Sequence, residues 1–396
     1  MSAIKPESTA GGFGGFGGFG GFGGFGGFGG FGGFGGFGGF GGFGGSPSPI
    51  HAEAFISNRN GISGYWQTVT AAPTPHPLDS PSNLKLWSPW VRASLIDAEL
   101  LSKIGFSRGA DAADEPSDAD MSVWHLNVTP VADSGAPTAT YVPLVKMSRP
   151  DDSVFLEQLD FVHQYAALRQ DRAAEILSQI SLPLEFLGTI AYLHPDRTPW
   201  TLELLNASLR LANFVEMRLK HALACHRPNE FSPQIQPMIL TPAHGTLPSG
   251  HATEAFTAAM VLTRLLLAST SPIYNTQSAW TIQLLRLAAR IAINRTVAGV
   301  HFPVDSAAGA MLGLTLGNYM VSRCIEADDF TAWAFNGKQF SGDFDWQDLY
   351  SIPTMTQIPG QVGTSVYTST VGTQTLSNPE SSILKQIWTN ALLEWT

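Results

Sequence analysis

The chain has 396 residues, a formal net charge of −10 and only 14% charged residues. This acidic balance argues against a role in binding duplex nucleic acid, for which a basic surface is expected. Two cysteines, Cys225 and Cys324, are too few for a disulfide framework or a four-ligand zinc site.

A GGF triplet repeat dominates the first 45 residues, with Phe at every third position from Phe13 to Phe43. Collagen is excluded, because it needs one Gly per triplet and abundant Pro. Two Gly in each triplet make helix and strand entropically costly, so we expect segment 1–45 to be disordered. Two roles stay open for it, a flexible tether and a self-associating chain whose Phe residues act as adhesive sites.

Targeting and membrane signals are not apparent in the sequence. The opening residues MSAIKPESTA contain no apolar stretch of the kind that a secretory signal requires. The apolar runs 258–267 and 307–321 are interrupted or shorter than the roughly 20 residues of a bilayer span. We therefore expect a soluble chain, cytoplasmic by default.

Segment 46–150 mixes Trp residues with Pro-rich and Asp-rich connectors such as APTPHPLDSPSN and ADAADEPSDAD. It is predicted to be the irregular, partly helical N-terminal part of the catalytic domain, with one helix near Trp90 to Ile104. The acidic run Asp111 to Asp120 lacks the ligand spacing of a calcium loop and is interpreted as a solvated loop. Segment 326–396, rich in Ser and Thr, is predicted to be an irregular C-terminal extension that ends in a short helix, Ser381 to Trp395.

Segment 151–325 is predicted to be the catalytic core. Phe155, Leu159, Val162 and Ala166 repeat at helical spacing behind an Asp152-Ser153 start signal. Five further apolar or helical segments follow: Leu182 to Leu193, one that opens at Pro199, Ser249 to Ser269, Thr276 to Ile293 and Pro303 to Ser322. A series of helices with short connections indicates an all-α fold, a helical bundle.

Three polar clusters lie at the ends of these predicted helices. Alone, each is explained by helix capping. The first ends the third helix, the second opens the fourth, and the third lies between the last two. They read Lys220-HALACH-Arg227-Pro228, Pro248-Ser249-Gly250-His251 and Arg295-TVAGV-His301-FPV-Asp305.

Together, the clusters predict a pocket for an oxyanion. Lys220, Arg227 and Arg295 would bring three positive charges to one place in a chain that carries few. Ser249 and Gly250 would offer a hydroxyl and a backbone N–H at a helix N-terminus, which favours anions. Gly250, which has no Cβ, also lets the backbone approach a ligand closely.

Two histidines add what simple anion binding does not need. His251 and His301 can supply a proton-transfer group and a nucleophile or metal ligand. Asp305 lies one helical turn after His301, within reach to orient its ring. The sequence therefore predicts a reactive oxyanion site.

The blocks Lys-x6-Arg-Pro, Pro-Ser-Gly-His and Arg-x5-His-x3-Asp resemble the signature shared by vanadium-dependent haloperoxidases and the type 2 phosphatidic acid phosphatase superfamily. The resemblance covers Lys220 to Asp305 closely and the surrounding bundle loosely. One departure is visible, since the third block usually begins Ser-Arg and here reads Asn294-Arg295.

The resemblance implies a role for each matching residue. His301 would be the axial ligand of a vanadate cofactor in a peroxidase, or the nucleophile that forms a phosphohistidine in a phosphatase. His251 would be the acid–base group, and Lys220 would also polarise bound peroxide. The equatorial oxygens of vanadate or phosphate would be held by Lys220, Arg227, Ser249, Gly250 and Arg295.

The resemblance implies two chemistries, and we favour the haloperoxidase. The long N-terminal portion is typical of the family's peroxidases. His244, in the run His-Gly-Thr-Leu-Pro-Ser-Gly-His, resembles a second His that bromoperoxidases place there. The reaction would use hydrogen peroxide, a halide and a small organic acceptor, and we favour bromide as the halide. We expect no nucleic-acid partner and no membrane span. A homo-oligomer is compatible with the sequence. The alternative is a soluble acid phosphatase.

Four residues in or near the first two blocks have a simpler interpretation. His221 and His226 occupy spacer positions of the first block, and His244 is equally well explained as a loop histidine. Cys225 is interpreted as a buried thiol, because no separate base is implied for it.

Overall fold

The computed structural model describes residues 49–109, 120–129, 136–180, 184–277, 279–325, 327, 329–376 and 381–396. Segment 1–45, predicted to be disordered, lies outside the described residues, and so does all of the acidic run except Asp120.

Helices are the main regular elements of the described chain. They are α1 (Pro49–Ile62), α2 (Pro89–Leu101), α3 (Asp152–Tyr165), α4 (Arg169–Ser178), α5 (Glu185–Gly188), α6 (Pro199–Leu223), α7 (Pro228–Phe231), α8 (Gly250–Ala268), α9 (Ala279–Val297), α10 (Pro303–Ile325) and α11 (Ser382–Leu392). Within the described ranges, no helix combines the length and the apolar character that crossing a membrane requires.

Helix α8 lies at the centre of the bundle and packs against α6, α9 and α10. Its contact with α10 depends on the glycines Gly309, Gly313 and Gly317, which repeat every four residues on one face of α10. A Cβ at Gly309 would lie 2.5 Å from the carbonyl oxygen of Ser249. The missing side chains therefore let the start of α10 lie directly against the start of α8.

Local sequence explains where the core helices begin and end. Pro199 stands in the first turn of α6, where a missing N–H costs nothing. The carboxylate of Glu394 accepts the N–H groups of Trp200 and Thr201, both at 2.8 Å, and so caps α6 from the other end of the chain. The helix ends at Ala224, whose φ of 47° is left-handed.

A mixed five-stranded sheet packs against α6 and α10. Its strand order is β1-β2-β3-β4-β9, and all neighbouring pairs are antiparallel except β3 and β4. Two small hairpins, β5–β6 and β7–β8, complete the strands. The strands are β1 (Ile104–Arg108), β2 (Asp120–Thr129), β3 (Thr138–Ser148), β4 (Asp329–Asn336), β5 (Tyr350–Ser351), β6 (Thr356–Gln357), β7 (Gln361–Val362), β8 (Ser365–Val366) and β9 (Thr368–Thr375).

The helical core is confirmed, but the prediction of an all-α fold is wrong. The sheet joins segments that were predicted to be irregular, 46–150 and 326–396. In β2 the buried side of the alternation includes the polar residues His125 and Asn127, which weakens the strand signal. In β3, Pro143 pairs with Trp124 at a register shift, and a proline inside a run argues against a strand.

The predicted helix boundaries hold for most of the core and fail in three places. The helix predicted from Trp90 to Ile104 ends at Leu101, and β1 begins at Ile104. Of the apolar segment 182–193, only α5 is helical, and residues 182 and 183 lie outside the described ranges. Helix α9 continues to Val297, so Arg295 lies in its last turn and not between two helices.

Candidate active site

Arg227, in the first cluster, contacts residues of two other segments of the site. The left-handed turn at Ala224 reverses the chain after α6 and carries Arg227 back toward the start of α8. Its Nε donates to the carbonyl oxygen of His244 at 3.0 Å, and its Nη1 donates to that of Val300 at 2.8 Å. These contacts join the loop before α8 to the turn before α10, so one guanidinium connects the first and third blocks of the signature with the loop that leads to the second.

His301 is held in a defined tautomer. Arg227 Nη1 lies 2.9 Å from His301 Nε2, and a guanidinium can only donate, so Nε2 must accept. The ring proton therefore lies on Nδ1, which is 3.1 Å from Asp305 Oδ2. Thr246 Oγ1 donates to the same carboxylate oxygen at 2.5 Å. Nε2 is therefore the unprotonated nitrogen of this ring, and its lone pair accepts the hydrogen bond from Arg227.

The carboxylate of Asp305 is built into the turn that it serves. Its Oδ2 also accepts the backbone N–H of Phe302 at 2.8 Å. Burial raises the pKa of Asp305 to about 6, and the hydrogen bonds from Thr246 and Phe302 and the charges of Arg227 and Lys220 oppose that rise. Asp305 is thus ionised at neutral pH and can orient His301, as the sequence predicts.

Helix α8 presents its N-terminus to the same region. Ser249 is the N-cap, and its Oγ accepts the N–H of Ala252 at 3.4 Å. That contact uses the hydroxyl oxygen as an acceptor, so the O–H can still donate to a ligand. The backbone N–H of Ser249 donates to the carbonyl oxygen of Asp305 at 2.9 Å, which fixes α8 against the start of α10.

Arg295 and His251 both contact the C-terminal end of α4. Arg295 Nη2 donates to the carbonyl oxygen of Ile176 at 3.2 Å. His251 Nε2 donates to the carbonyl oxygens of Gln179 at 2.8 Å and Ile180 at 3.1 Å. Asn294 Nδ2 donates to Gln179 Oε1 at 2.8 Å, so the residue that departs from the family pattern supports this segment.

Three cations are buried together. Lys220, Arg227 and Arg295 are each no more than 2% exposed. Burial lowers the pKa of Arg227 and of Arg295 to about 10. Burial, together with the charge of Arg227, lowers the pKa of Lys220 to about 8. An anion bound among them would relieve both the desolvation and the mutual repulsion.

The neutral forms of the histidines are favoured for the same reason. Burial and the charge of Arg295 lower the pKa of His251 to about 3. Burial, with the charges of Arg227 and Lys220, lowers the pKa of His301 well below its usual 6.5. Both rings are therefore neutral until an anion enters.

His244 lies at the mouth of this pocket. Its Nδ1 lies 3.1 Å from Arg227 Nη2, which can donate, and 3.2 Å from the carbonyl oxygen of Gly245, which can accept. His244 Nε2 and Asn229 Oδ1 are buried atoms with no hydrogen-bond partner among the residues that the structure describes. Both residues line a cleft of ≈ 380 Å³, together with Arg227 and Glu230. The cleft can take the organic part of a substrate.

The residues fit a tetrahedral oxyanion. Within the described ranges, the buried Nε and Nη1 of Arg295 have no acceptor. They lie in a pocket with two further cations, a helix N-terminus and the lone pair of His301. Phosphate and vanadate share this geometry and charge, so the donor set suits either one.

The structure brings the predicted site residues into one pocket. Contacts or electrostatic interactions link Lys220, Arg227, His244, Ser249, His251, Arg295, His301 and Asp305, and Gly250 opens α8 beside them. The spacer histidines His221 and His226 are exposed, and Cys225 is a buried free thiol. Sequence reasoning missed Thr246, Gln179 and the buried acids Glu216 and Glu254. Only Glu216 had a local signal, since it lies one helical turn before Lys220.

The His251→Asn variant is expected to lose less stability in acid than the unchanged protein. The folded state holds the pKa of His251 at about 3, against 6.5 for an ordinary histidine. Below about pH 6.5 the unfolded chain takes up a proton that the folded chain refuses, so stability falls with pH. From about pH 7 to about pH 5 this one group contributes a loss of about 2 kcal/mol.

Urea unfolding at several pH values measures this difference. His221→Asn, at an exposed position of α6, is the control for replacing a histidine. Parallel pH profiles for the His251→Asn variant and the unchanged protein would contradict the prediction.

Known proteins are similar to the part of the chain that contains the candidate active site. A sequence model of the PAP2 superfamily matches residues 202–326. The chain is 31% identical over 136 residues to decaprenylphosphoryl-5-phosphoribose phosphatase from two strains of Mycobacterium tuberculosis, covering 34% of this chain and 67% of that protein.

Two solved structures are similar at low scores. One is a transmembrane PAP2 type phosphatidylglycerolphosphate phosphatase from Bacillus subtilis, with a TM-score of 0.27, 18% identity, and coverage of 41% of this chain and 92% of that one. The other is a bacterial vanadium-dependent iodoperoxidase, with a TM-score of 0.32, 17% identity, and coverage of 48% of this chain and 50% of that one. Neither score bears on the reaction. The family model, whose match includes Lys220 to Asp305, and the 31% identity show that the chain belongs to the PAP2 superfamily, whose members are enzymes, among them phosphatases and haloperoxidases.

Proposed function

We propose that the chain hydrolyses phosphate monoesters through a phosphohistidine at His301. The observation that carries this proposal is the tautomer of His301, whose unprotonated Nε2 lies 2.9 Å from the Arg227 guanidinium. A nucleophilic lone pair beside a cation that can hold a phosphate oxygen is the arrangement that attack on phosphorus needs. The 31% identity to a phosphatase supports hydrolysis as the first choice.

In the first step His301 Nε2 attacks phosphorus, and the bond from phosphorus to the ester oxygen breaks. The leaving alkoxide takes a proton from His251. The charge of a bound phosphate raises the pKa of that ring, because an anion nearby favours the imidazolium. In the second step His251 accepts a proton from water, the hydroxide oxygen bonds to phosphorus, and the bond to Nε2 breaks to release phosphate.

The remaining residues stabilise charge and hold geometry. Lys220, Arg227 and Arg295 would hold the phosphoryl oxygens, whose charge grows in the transition state. Asp305 stabilises the positive charge that develops on His301 when Nε2 forms its bond to phosphorus. The cleft beside His244 would take the alcohol part of the ester.

The second candidate is a vanadate-dependent haloperoxidase, and His244 is the observation that favours it. Its buried Nε2 has no hydrogen-bond partner in the described part of the chain, and His244 lines the cleft beside Arg227, by which a halide would enter. The pocket residues that suit phosphate would hold the oxygens of vanadate, and His301 Nε2 is the atom that would bind the metal. Bound vanadate would supply activation of hydrogen peroxide toward halide.

A paired assay on one purified batch separates the two candidates. One arm follows hydrolysis of p-nitrophenyl phosphate, and the other follows bromination of a dione reporter with peroxide and bromide. Both are run with and without orthovanadate. We expect metal-free hydrolysis that orthovanadate inhibits. Bromination that depends on vanadate, with no hydrolysis in its absence, would overturn the phosphatase proposal in favour of the second candidate.

A further inference from the structure

Two buried carboxyl groups lie behind the oxyanion pocket and play no part in the proposed reaction. Glu216 on α6 is 2% exposed, and Glu254 on α8 is 1% exposed. In each of them Oε2 is buried and has no hydrogen-bond partner among the described residues. Buried acids without full hydrogen bonding are costly, so their retention beside a cationic pocket calls for an explanation.

The two acids lie directly against the residues that bind the oxyanion. Glu216 lies one helical turn before Lys220, so both side chains leave the same face of α6. A Cβ at Gly250 would lie 2.5 Å from Glu216 Oε1. Gly250 therefore leaves room for Glu216 behind the start of α8, in addition to the close ligand approach expected from the sequence. Glu254 lies one turn further along α8.

Among the residues that the structure describes, Lys220 has no negatively charged hydrogen-bond partner. Its Nζ donates to the carbonyl oxygens of Thr246 at 3.2 Å, Gly245 at 3.5 Å and Pro248. These acceptors orient the ammonium, but they carry no full charge to balance it. Of its ionised neighbours, Arg227 disfavours the ammonium, whereas Glu216 favours it most and Asp305 next; Glu254 would favour it only if it were ionised.

Burial and the repulsion between the two carboxylates both oppose the ionisation of the two acids at once. Burial raises the pKa of Glu216 to about 7, and the charges of Lys220 and Arg227 oppose that rise. Burial raises the pKa of Glu254 well above its usual value, and the charge of Glu216 raises it further. The proton therefore belongs on Glu254 and the negative charge on Glu216, next to the cation.

We infer that Glu216 is the counter-ion that keeps Lys220 an ammonium inside the pocket, while Glu254 stays a neutral acid. Glu216 is thus a positioning residue that acts through Lys220 and does not touch the substrate. The inference rests on the proposed role of Lys220 in holding an oxyanion, and it applies equally to phosphate and vanadate.

Glu216→Gln, Glu216→Asp and Glu254→Gln test the inference in the full chain, with circular dichroism as the check of folding. The first readout is the NMR titration of the Lys220 Cε signal in protein labelled with ¹³C-lysine, assigned with a Lys220→Arg sample. We expect Glu216→Gln to lower the pKa of Lys220 by about one unit or more, a tenfold shift in its protonation equilibrium. Glu216→Asp should restore most of that shift. Glu254→Gln should leave the pKa of Lys220 within about 0.3 unit of its original value.

The second readout is the binding of inorganic sulfate, a tetrahedral dianion whose charge is constant between about pH 6 and about pH 10. The alkaline loss of sulfate binding should move to lower pH in Glu216→Gln and stay in place in Glu254→Gln. An unchanged Lys220 titration in Glu216→Gln, or an equal shift in both Gln variants, would overturn the inference. Absence of sulfate binding in the unchanged protein would instead count against the oxyanion site, and the NMR titration would still decide the role of Glu216.

Discussion

His301→Ala is expected to lower kcat/KM for p-nitrophenyl phosphate by at least about 10⁴-fold, because it removes the atom that attacks phosphorus. Orthovanadate should also lose its inhibitory effect, since Nε2 is its expected axial ligand. Asp305 and Thr246 would then lose the ring that both contact, Asp305 at 3.1 Å and Thr246 at 3.1 Å from Nδ1. The fold should survive, because the carboxylate of Asp305 keeps its bonds from Thr246 and from the Phe302 N–H.

Steady-state hydrolysis and a rapid-quench search for an acid-labile phosphoenzyme measure this prediction. His221→Ala, on the exposed face of α6, is the control and should behave as the unchanged protein does. Hydrolysis within tenfold of the original rate in His301→Ala would overturn the phosphohistidine mechanism, because that mechanism needs Nε2.

Arg227→Lys is expected to lower kcat/KM by about 10²- to 10³-fold although the charge is kept. The guanidinium contacts His301 Nε2 at 2.9 Å, the carbonyl oxygen of Val300 at 2.8 Å and that of His244 at 3.0 Å. A lysine ammonium cannot reproduce this planar set of donors. Stability should also fall, by about 1–3 kcal/mol for each buried acceptor left unpaired.

The matched control for this change is Arg290→Lys. Arg290 is also a bidentate arginine, with its Nε and Nη2 each 2.9 Å from an oxygen of Glu175, but it lies on the exposed side of α9. There the same substitution should alter activity less than about threefold and stability by less than about 1 kcal/mol. Equal losses in the two variants would show that Arg227 has no special place in the site.

The signature residues could be predicted because their spacing encodes local geometry. The spacing indicates where each side chain lies on its own helix. The signature has a Lys at the end of one helix, Pro-Ser-Gly-His at the start of another, and a His and an Asp one turn apart. The strands could not be predicted in the same way. β3 and β4 pair in parallel, although nearly the whole helical core lies between them in the sequence. Nothing local in Val145 or Trp333 identifies the partner strand.

The sequence by itself was enough to predict that Lys220, Arg227, Ser249, Arg295 and His301 form one oxyanion site. Three cations in a chain with few charged residues, together with two histidines at helix ends, favour the binding of an anion over other functions. Only the tertiary structure decided which nitrogen of His301 is available, because that depends on Arg227, which is distant in the chain. It also decided that Glu216 lies behind Gly250 and that the carbonyl oxygens of Ile176 and Gln179 face Arg295 and His251. These contacts join separate helices, and helix packing, which depends on small residues such as Gly309 and Gly313, sets them.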